Sequence, residues 1–365
     1  MCNDKAIVGT RLTFIDLMES IAIFFVISYH STAYSFDFIS EGSFLNYLSY
    51  FLRTILSTCV PIFFFANGYL LLNKTFDLKK HIKKIFHIII ITFIWALILM
   101  PLYLIIEGSP VTLSSVITPI LYLDTAWGMN LFWYLGALIC IYIFFPLLKL
   151  SFDSNKKIFL FFTVICAVLT FGFKLANEVV VAASTFTHSF ENGLDLPVIT
   201  MFNPFRGIRG YSFVYFCVGG LMHEYKDRIL SIPKFKRNVC SVLGIIISCT
   251  SLFLMGVVHS KFIDGAVWDI VWEGYDSVFT FLNVIFIYVL CLNYKKDCAF
   301  IKKISCNTLG IYFTHTLVLR LTKPIFTFEI LQNIPFNLVY SFIVLCICLL
   351  ISIIIKKIPL LKRLV

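Results

Sequence analysis

The stretch FIDLMESIAIFFVISYH, from Phe14 to His30, decides how the rest of the chain is read. It follows Lys5 and Arg11 as the apolar part of a secretion signal would, but it is too long for one and carries Asp16 and Glu19 within it. It reads as a retained first membrane span. Charge inside a span is costly, so Asp16, Glu19 and His30 mark either function or pairing inside a bundle. At 100° per residue, the step from Glu19 to His30 returns to within about 20° of the same direction, and Asp16 falls on that side too. The three form one polar stripe facing protein. With a rise of about 1.5 Å per residue, His30 stands roughly 16 Å above Glu19, too far for a direct pair within the helix.

The rest of the chain agrees with a membrane reading. Of 365 residues, 59% are hydrophobic and only 14% charged, with a mean hydropathy of +0.92, far beyond what a soluble domain can bury. About ten apolar stretches of spanning length occur, centred near Phe24, Val60, Ile94, Ile139, Ile165, Phe216, Ile247, Val284, Phe313 and Cys346. No soluble domain separates them, so residues 1–365 read as a single integral membrane domain, all-α and polytopic.

Charge sets the orientation. With the N-terminus in the cytoplasm, the inner segments hold twenty-three basic residues, from Lys5 and Arg11 through Lys79, Lys80, Lys83 and Lys84 to Lys356, Lys357, Lys362 and Arg363. The outer side holds only Lys174, Arg206, Arg209, Lys261, Arg320 and Lys323, with Arg53 inside a span. That asymmetry requires an even span count and puts both termini in the cytoplasm of a cell (plasma or inner) membrane. It also accounts for the net charge of +10 without nucleic acid. The outer segments are acidic, with Asp37, Glu41, Glu107, Asp124, Glu178, Glu191, Asp195, Asp264, Asp269, Glu273, Asp276 and Glu329, which disfavours a polyanionic acceptor there. The longest, Lys174 to Gly207, reads as a polar loop that either folds over an external opening or is a passive connection.

Cys59, Cys140, Cys166, Cys217, Cys249, Cys291, Cys346 and Cys348 lie within apolar runs and read as small buried hydrophobes. No metal site is expected. Histidine is the side chain best suited to take a proton from a hydroxyl near neutral pH, which makes His30 the leading general base, with a hydrogen-bonded interfacial histidine as the alternative. Asp16 and Glu19 read either as catalytic groups or as counter-ions for a basic group on a neighbouring helix. In the second span, Arg53 precedes VPIFFFANGYLL, residues Val60–Leu71, where Pro61 can kink the helix and Asn67 and Gly68 offer a polar group and a close-approach point.

Together these segments resemble the acyltransferase 3 family of multispan membrane enzymes. Phe14–His30 is similar to the family's Asp-Leu-x-basic, apolar run, His pattern, and Val60–Leu71 to its Val-Pro-x-Phe-Phe-x-x-Ser-Gly pattern. LFWYLGALICIYIFFPLL (Leu131–Leu148), YFCVGGLM (Tyr215–Met222) and LGIYFTHTLVL (Leu309–Leu319) follow in the family's order. The resemblance implies O-acylation, typically O-acetylation, of a surface or lipid-linked glycan, with His30 as the catalytic histidine. Two departures stand out: the family's basic residue is here Glu19, which alters any donor contact it made, and its serine is Asn67.

The same resemblance implies a donor that is a substrate rather than a resident cofactor: acyl-CoA, in the typical case acetyl-CoA, from the cytoplasm. Lys83 and Lys84 either take its phosphates or serve simply as cytoplasmic topology anchors. Arg53, Arg209 or Tyr134 would stabilise the negative charge that develops on the thioester oxygen. Trp133, Tyr142, Tyr312 and His315 either pack helices or line the cavity. A glycan exporter and an inactive relative are the alternatives, the first suggested by the intramembrane acidic stripe and the second by Glu19.

Overall fold

The computed structural model describes residues 11–31, 44–122, 130–187, 203–205, 209–262, 274–326, 334–359 and 361–364. Within them every regular element is helical. The helices are α1 (Thr13–Ser31), α2 (Phe44–Leu56), α3 (Cys59–Leu71), α4 (Leu78–Ile106), α5 (Leu113–Leu121), α6 (Trp133–Ser154) and α7 (Lys156–Ala167). They continue with α8 (Phe173–Thr187), α9 (Tyr211–Ser231), α10 (Lys234–Phe262), α11 (Val278–Cys291), α12 (Ala299–Cys306), α13 (Thr308–Thr322) and α14 (Ile334–Lys357).

All ten predicted span centres fall in helices. Among the described residues seven segments are long and apolar enough to cross a membrane: α1, α2 with α3, α4, α6, α7 with α8, α10 and α14. The other three centres lie in helices that miss this measure for visible reasons. α11 has only 14 residues and α13 only 15, while α9 ends in the charged run HEYKDR.

Lipid and core both demand apolar side chains, and α4 supplies them on opposite faces. Ile88, Ile91, Trp95 and Leu99 turn inward and are buried, whereas Phe86, Ile90, Phe93 and Leu97 follow the same spacing outward and are exposed. α1 is different: it packs against α2, α3, α11, α12, α13 and α14, and so stands inside the bundle. Its polar stripe meets α12 and α13 through Ser305 and His315.

The tightest crossing is between α3 and α9. A Cβ on Gly68 would stand 1.8 Å from the Phe216 carbonyl oxygen, and one on Gly219 2.1 Å from that of Phe65. Glycine at both places lets the two backbones touch, as in other closely packed membrane helices. The close approach expected at Gly68 is therefore found, with the glycines of YFCVGGLM as its counterpart.

Several cations in the inner-side group end helices. Lys149 Nζ donates to the Leu72 carbonyl beyond α3 at 3.0 Å. Arg237 donates to Ile229 and Ile232 beyond α9, and Lys356 to Cys306 at the end of α12 at 2.6 Å. Each cation meets carbonyls that the helix itself cannot satisfy, at the negative end of its dipole.

Three expectations are refined. The kink allowed by Pro61 falls at Ser57–Thr58, inside the second span: Pro61 lies in the first turn of α3 and, lacking an N–H, leaves the Ser57 carbonyl without a helical donor. The supposed loop after Lys174 is helical as far as Thr187, because α7 runs through a π-helical turn at Val168–Gly172 directly into α8. The remainder of that segment, 188–202 and 206–208, lies outside the described residues, as do Lys5, Asp37, Glu41, Asp124, Glu191, Asp195, Arg206, Asp264, Asp269, Glu273 and Glu329. Third, the eight cysteines taken as buried hydrophobes are all free, but Cys140 and Cys346 are only half-buried.

Candidate functional site

The Arg11 end of α1 is closed by partners. Arg11 grips the Asp16 carboxylate through two nitrogens, Nε to Oδ2 at 2.6 Å and Nη2 to Oδ1 at 2.9 Å. Ser305 Oγ of α12 lies 2.7 Å from Asp16 Oδ1 and 2.5 Å from Glu19 Oε2. Asp16 thus pairs with a basic group, but that group is Arg11 from the turn before its own helix rather than a residue of a neighbouring helix. Glu19 shares the same serine.

Near the start of α4 the two lysines separate. Lys83 is exposed, whereas Lys84 is half-buried and turns inward, its Nζ 4.7 Å above the ring of Tyr142 on α6. The Tyr142 hydroxyl donates to Asn67 Oδ1 at 3.1 Å, and Asn67 Nδ2 donates to the Phe63 carbonyl of its own helix at 2.8 Å. Lys84, Tyr142 and Asn67 make one polar cluster spanning α4, α6 and α3.

From there aromatic rings lead onward. Tyr134 lies 5.1 Å from Phe64 and 5.6 Å from Tyr312 of α13. Tyr312 is anchored, its hydroxyl donating to the Leu131 carbonyl. Its ring is 5.9 Å from that of His315, one turn further along α13.

His315 then faces His30 across the α1–α13 contact, with 5.3 Å between ring centroids and 46° between planes. His30 keeps an exposed surface although it stands at the contact of α1 with α13. That surface leaves the ring accessible to a substrate. Tyr29 lies edge-on to His30 at 5.4 Å. The buried Arg53 guanidinium sits 5.0 Å over the Tyr29 ring and within electrostatic reach of His30.

On a further side, Trp133 at the start of α6 pairs with Tyr275 at 5.5 Å, and Tyr211 joins Tyr275 at 6.1 Å. The Arg209 guanidinium lies 4.4 Å over Trp133. Arg209 adopts a left-handed backbone conformation with φ of 54°, rare for a residue with a side chain. Such conformations concentrate where a side chain must be held in a set direction.

Of the residues singled out from the sequence, His30, His315 and Arg53 gather around the head of α1, with Tyr312 beside His315 and Tyr134 beside Tyr312. Asn67 and Lys84 sit together below them, and Trp133 with Arg209 forms a separate aromatic and cationic face. Asp16 and Glu19 are at the opposite end of α1, and Lys83 points away. Tyr29, Tyr275, Arg11 and Ser305 escaped the sequence reading. Tyr29 is turned about 100° from the stripe on the helical wheel, so a search along the stripe passes over it.

The family model described as an acyltransferase domain matches residues 12–353, nearly the whole chain. Comparison with curated proteins and with solved structures gave no match.

Proposed function

Since the chain belongs to the acyltransferase 3 family, a family of multi-pass membrane acyltransferases, we propose that it moves an acyl group from cytoplasmic acyl-CoA to a glycan hydroxyl outside the membrane. The glycan is a surface or lipid-linked one, and the acyl group is acetyl in the simplest case. The reading includes ten spans, both termini in the cytoplasm and a location in the plasma or inner membrane.

One observation carries it: His30, at the contact of α1 with α13, keeps an exposed surface at the head of an interior helix. Acyl transfer across a bilayer needs one base that a donor from one side and an acceptor from the other can both approach, and an imidazole that keeps an exposed surface supplies that. In the proposed reaction His30 takes the proton of the acceptor hydroxyl as its oxygen attacks the thioester carbonyl. The tetrahedral intermediate collapses, the C–S bond breaks, and the proton passes from His30 to the coenzyme A thiolate. The products are an ester and a free thiol.

The remaining residues take roles that fit their places. Lys84 turns inward and meets the donor phosphates, with the pantetheine arm passing Asn67, Tyr142 and Tyr134. Arg53, beside Tyr29, offsets the charge of the oxyanion. Trp133, Tyr275 and Arg209 offer an aromatic face with a cation over it, suited to the C–H face and polar groups of a sugar. Glu19 sits with Asp16 on Ser305, so reversal of charge there alters the base of the donor path rather than the reacting centre.

The test is release of free thiol by purified protein in nanodiscs, supplied with acetyl-CoA and a panel of glycan acceptors. Thiol should appear only with an acceptor, and His30→Ala should cut kcat by about a thousandfold, within the range of general acid–base catalysis. Equal turnover by the His30→Ala protein would remove the base from the scheme. Glycan entry into vesicles without acyl-CoA would replace the scheme with export.

A further inference from the structure

Two histidines meet at the head of α1, and only His30 keeps an exposed surface. His315 is completely buried. Its Nδ1 lies 2.5 Å from the Tyr312 carbonyl oxygen. A carbonyl only accepts, so Nδ1 carries the proton, and in the neutral ring the lone pair is left on Nε2. That Nε2 is buried and has no hydrogen-bond partner among the described residues. A buried acceptor left unpaired costs about 1–3 kcal/mol, so such an atom in a folded protein calls for an explanation.

The neighbouring rings narrow the choice of donor. Tyr312 is 5.9 Å away, but its hydroxyl is committed to Leu131. His30 is 5.3 Å away. An N–H···N bond between two imidazoles needs about 3 Å between nitrogens plus about 1.1 Å from each centroid to its nitrogen, roughly 5.2 Å in all. The rings already stand at that separation, and a turn of the His30 ring about its Cβ–Cγ bond is the adjustment that remains.

We propose that His315 is a positioning residue for acyl transfer: its Nε2 accepts an N–H from His30, fixing the His30 tautomer so that the other nitrogen presents its lone pair to the acceptor. The inference rests on His30 being the base. It adds the orienting third group that an activated hydroxyl and its base ordinarily require. When His30 takes the acceptor proton, its second N–H already points at a lone pair, so no group needs to reorient in the transition state. The orienting group is a neutral imidazole rather than a carboxylate. It is itself held by the Tyr312 carbonyl, and Tyr312 by Leu131, so one chain of bonds runs from the turn before α6 to the base.

The experiment compares His315→Leu with His315→Gln, each checked for folding by its melting curve. The two replacements have similar volume, but glutamine can donate to the Tyr312 carbonyl and accept from His30, whereas leucine can do neither. If His315 only packs, the buried amide is the worse replacement and leucine the better one. If it positions His30, leucine should lower kcat about a hundredfold, as loss of alignment does, with the KM for acetyl-CoA little changed. Glutamine should retain activity to within about tenfold of wild type.

Selective 15N-histidine NMR supplies a readout independent of turnover. His30, assigned from the His30→Gln spectrum, should show one neutral tautomer in wild type and in His315→Gln, and a mixture in His315→Leu. A leucine variant as active as wild type, or a His30 signal with the same tautomer mixture in all three proteins, would overturn the proposal. A protein inert to every acyl-CoA and acceptor, with the tautomer shift still present, would discard the acyl-transfer reading and leave the histidine pair standing.

Discussion

The two ends of α1 carry the same kind of side chain and treat it in opposite ways. At the Arg11 end, Asp16 is held by two guanidinium bonds and by Ser305, with Glu19 on the same hydroxyl. At the other end His30 stays exposed, and the His315 nitrogen near it is buried with no partner among the described residues. Cost to charge or polarity in a membrane interior is common to both ends. A polar group saturated by its neighbours contributes to the fold, and one left with unspent hydrogen-bonding capacity is available to a substrate.

Replacing one residue at each end separates these roles. His30→Ala should give the largest effect, the thousandfold fall in kcat already described, with a smaller fall in melting temperature than the loss of a paired charge causes. Asp16→Ala should do the reverse. It removes the carboxylate that pairs with Arg11 and should destabilise the protein by about 2 kcal/mol, less than the 3–5 kcal/mol of a fully buried pair because Arg11 is partly accessible and has other hydrogen-bond partners. Its folded fraction should keep kcat within about threefold of wild type, a difference below 1 kcal/mol in the barrier. Thermal unfolding and turnover measured on the same preparations decide the matter, and a selective loss of kcat in Asp16→Ala would erase the contrast between the ends.

The contrast also explains what could be read from the sequence. Helical periodicity alone put Asp16, Glu19 and His30 on one interior face, because a wheel depends only on spacing, and that face does meet α12 and α13. Hydropathy placed ten centres in helices for a similar reason: lipid imposes length and apolarity on each segment separately. The partners were not legible. Ser305 and Arg11 meet Asp16 through tertiary contact and through a residue just outside the helix, and neither follows from the wheel. The break before Pro61 was legible in kind, since the carbonyl that a proline frees lies four residues earlier, here at Ser57. The polar stretch after Lys174 misled for another reason: Glu178 and Lys174 suggested a loop, but an uninterrupted helix through the π turn carries them beyond the apolar part of α7.

The lysine pair of α4 offers the finest version of the same comparison. Lys83 and Lys84 are adjacent and equal in charge, so topology alone gives them equal weight, yet α4 turns them about 100° apart. One is exposed and the other lies over Tyr142, next to Asn67. A direct charge-assisted contact to a phosphate contributes about 1.5–3 kcal/mol, whereas a solvated charge nearby adds only screened attraction. Lys84→Gln should therefore raise the KM for acetyl-CoA by about tenfold with kcat little changed. Lys83→Gln should raise it about twofold, and only that smaller effect should vanish in high salt. Initial-rate kinetics at low and high ionic strength measure both. Equal shifts for the two variants would mean that the donor meets a diffuse basic surface at the start of α4, and the inward turn of Lys84 would then serve only its packing on Tyr142.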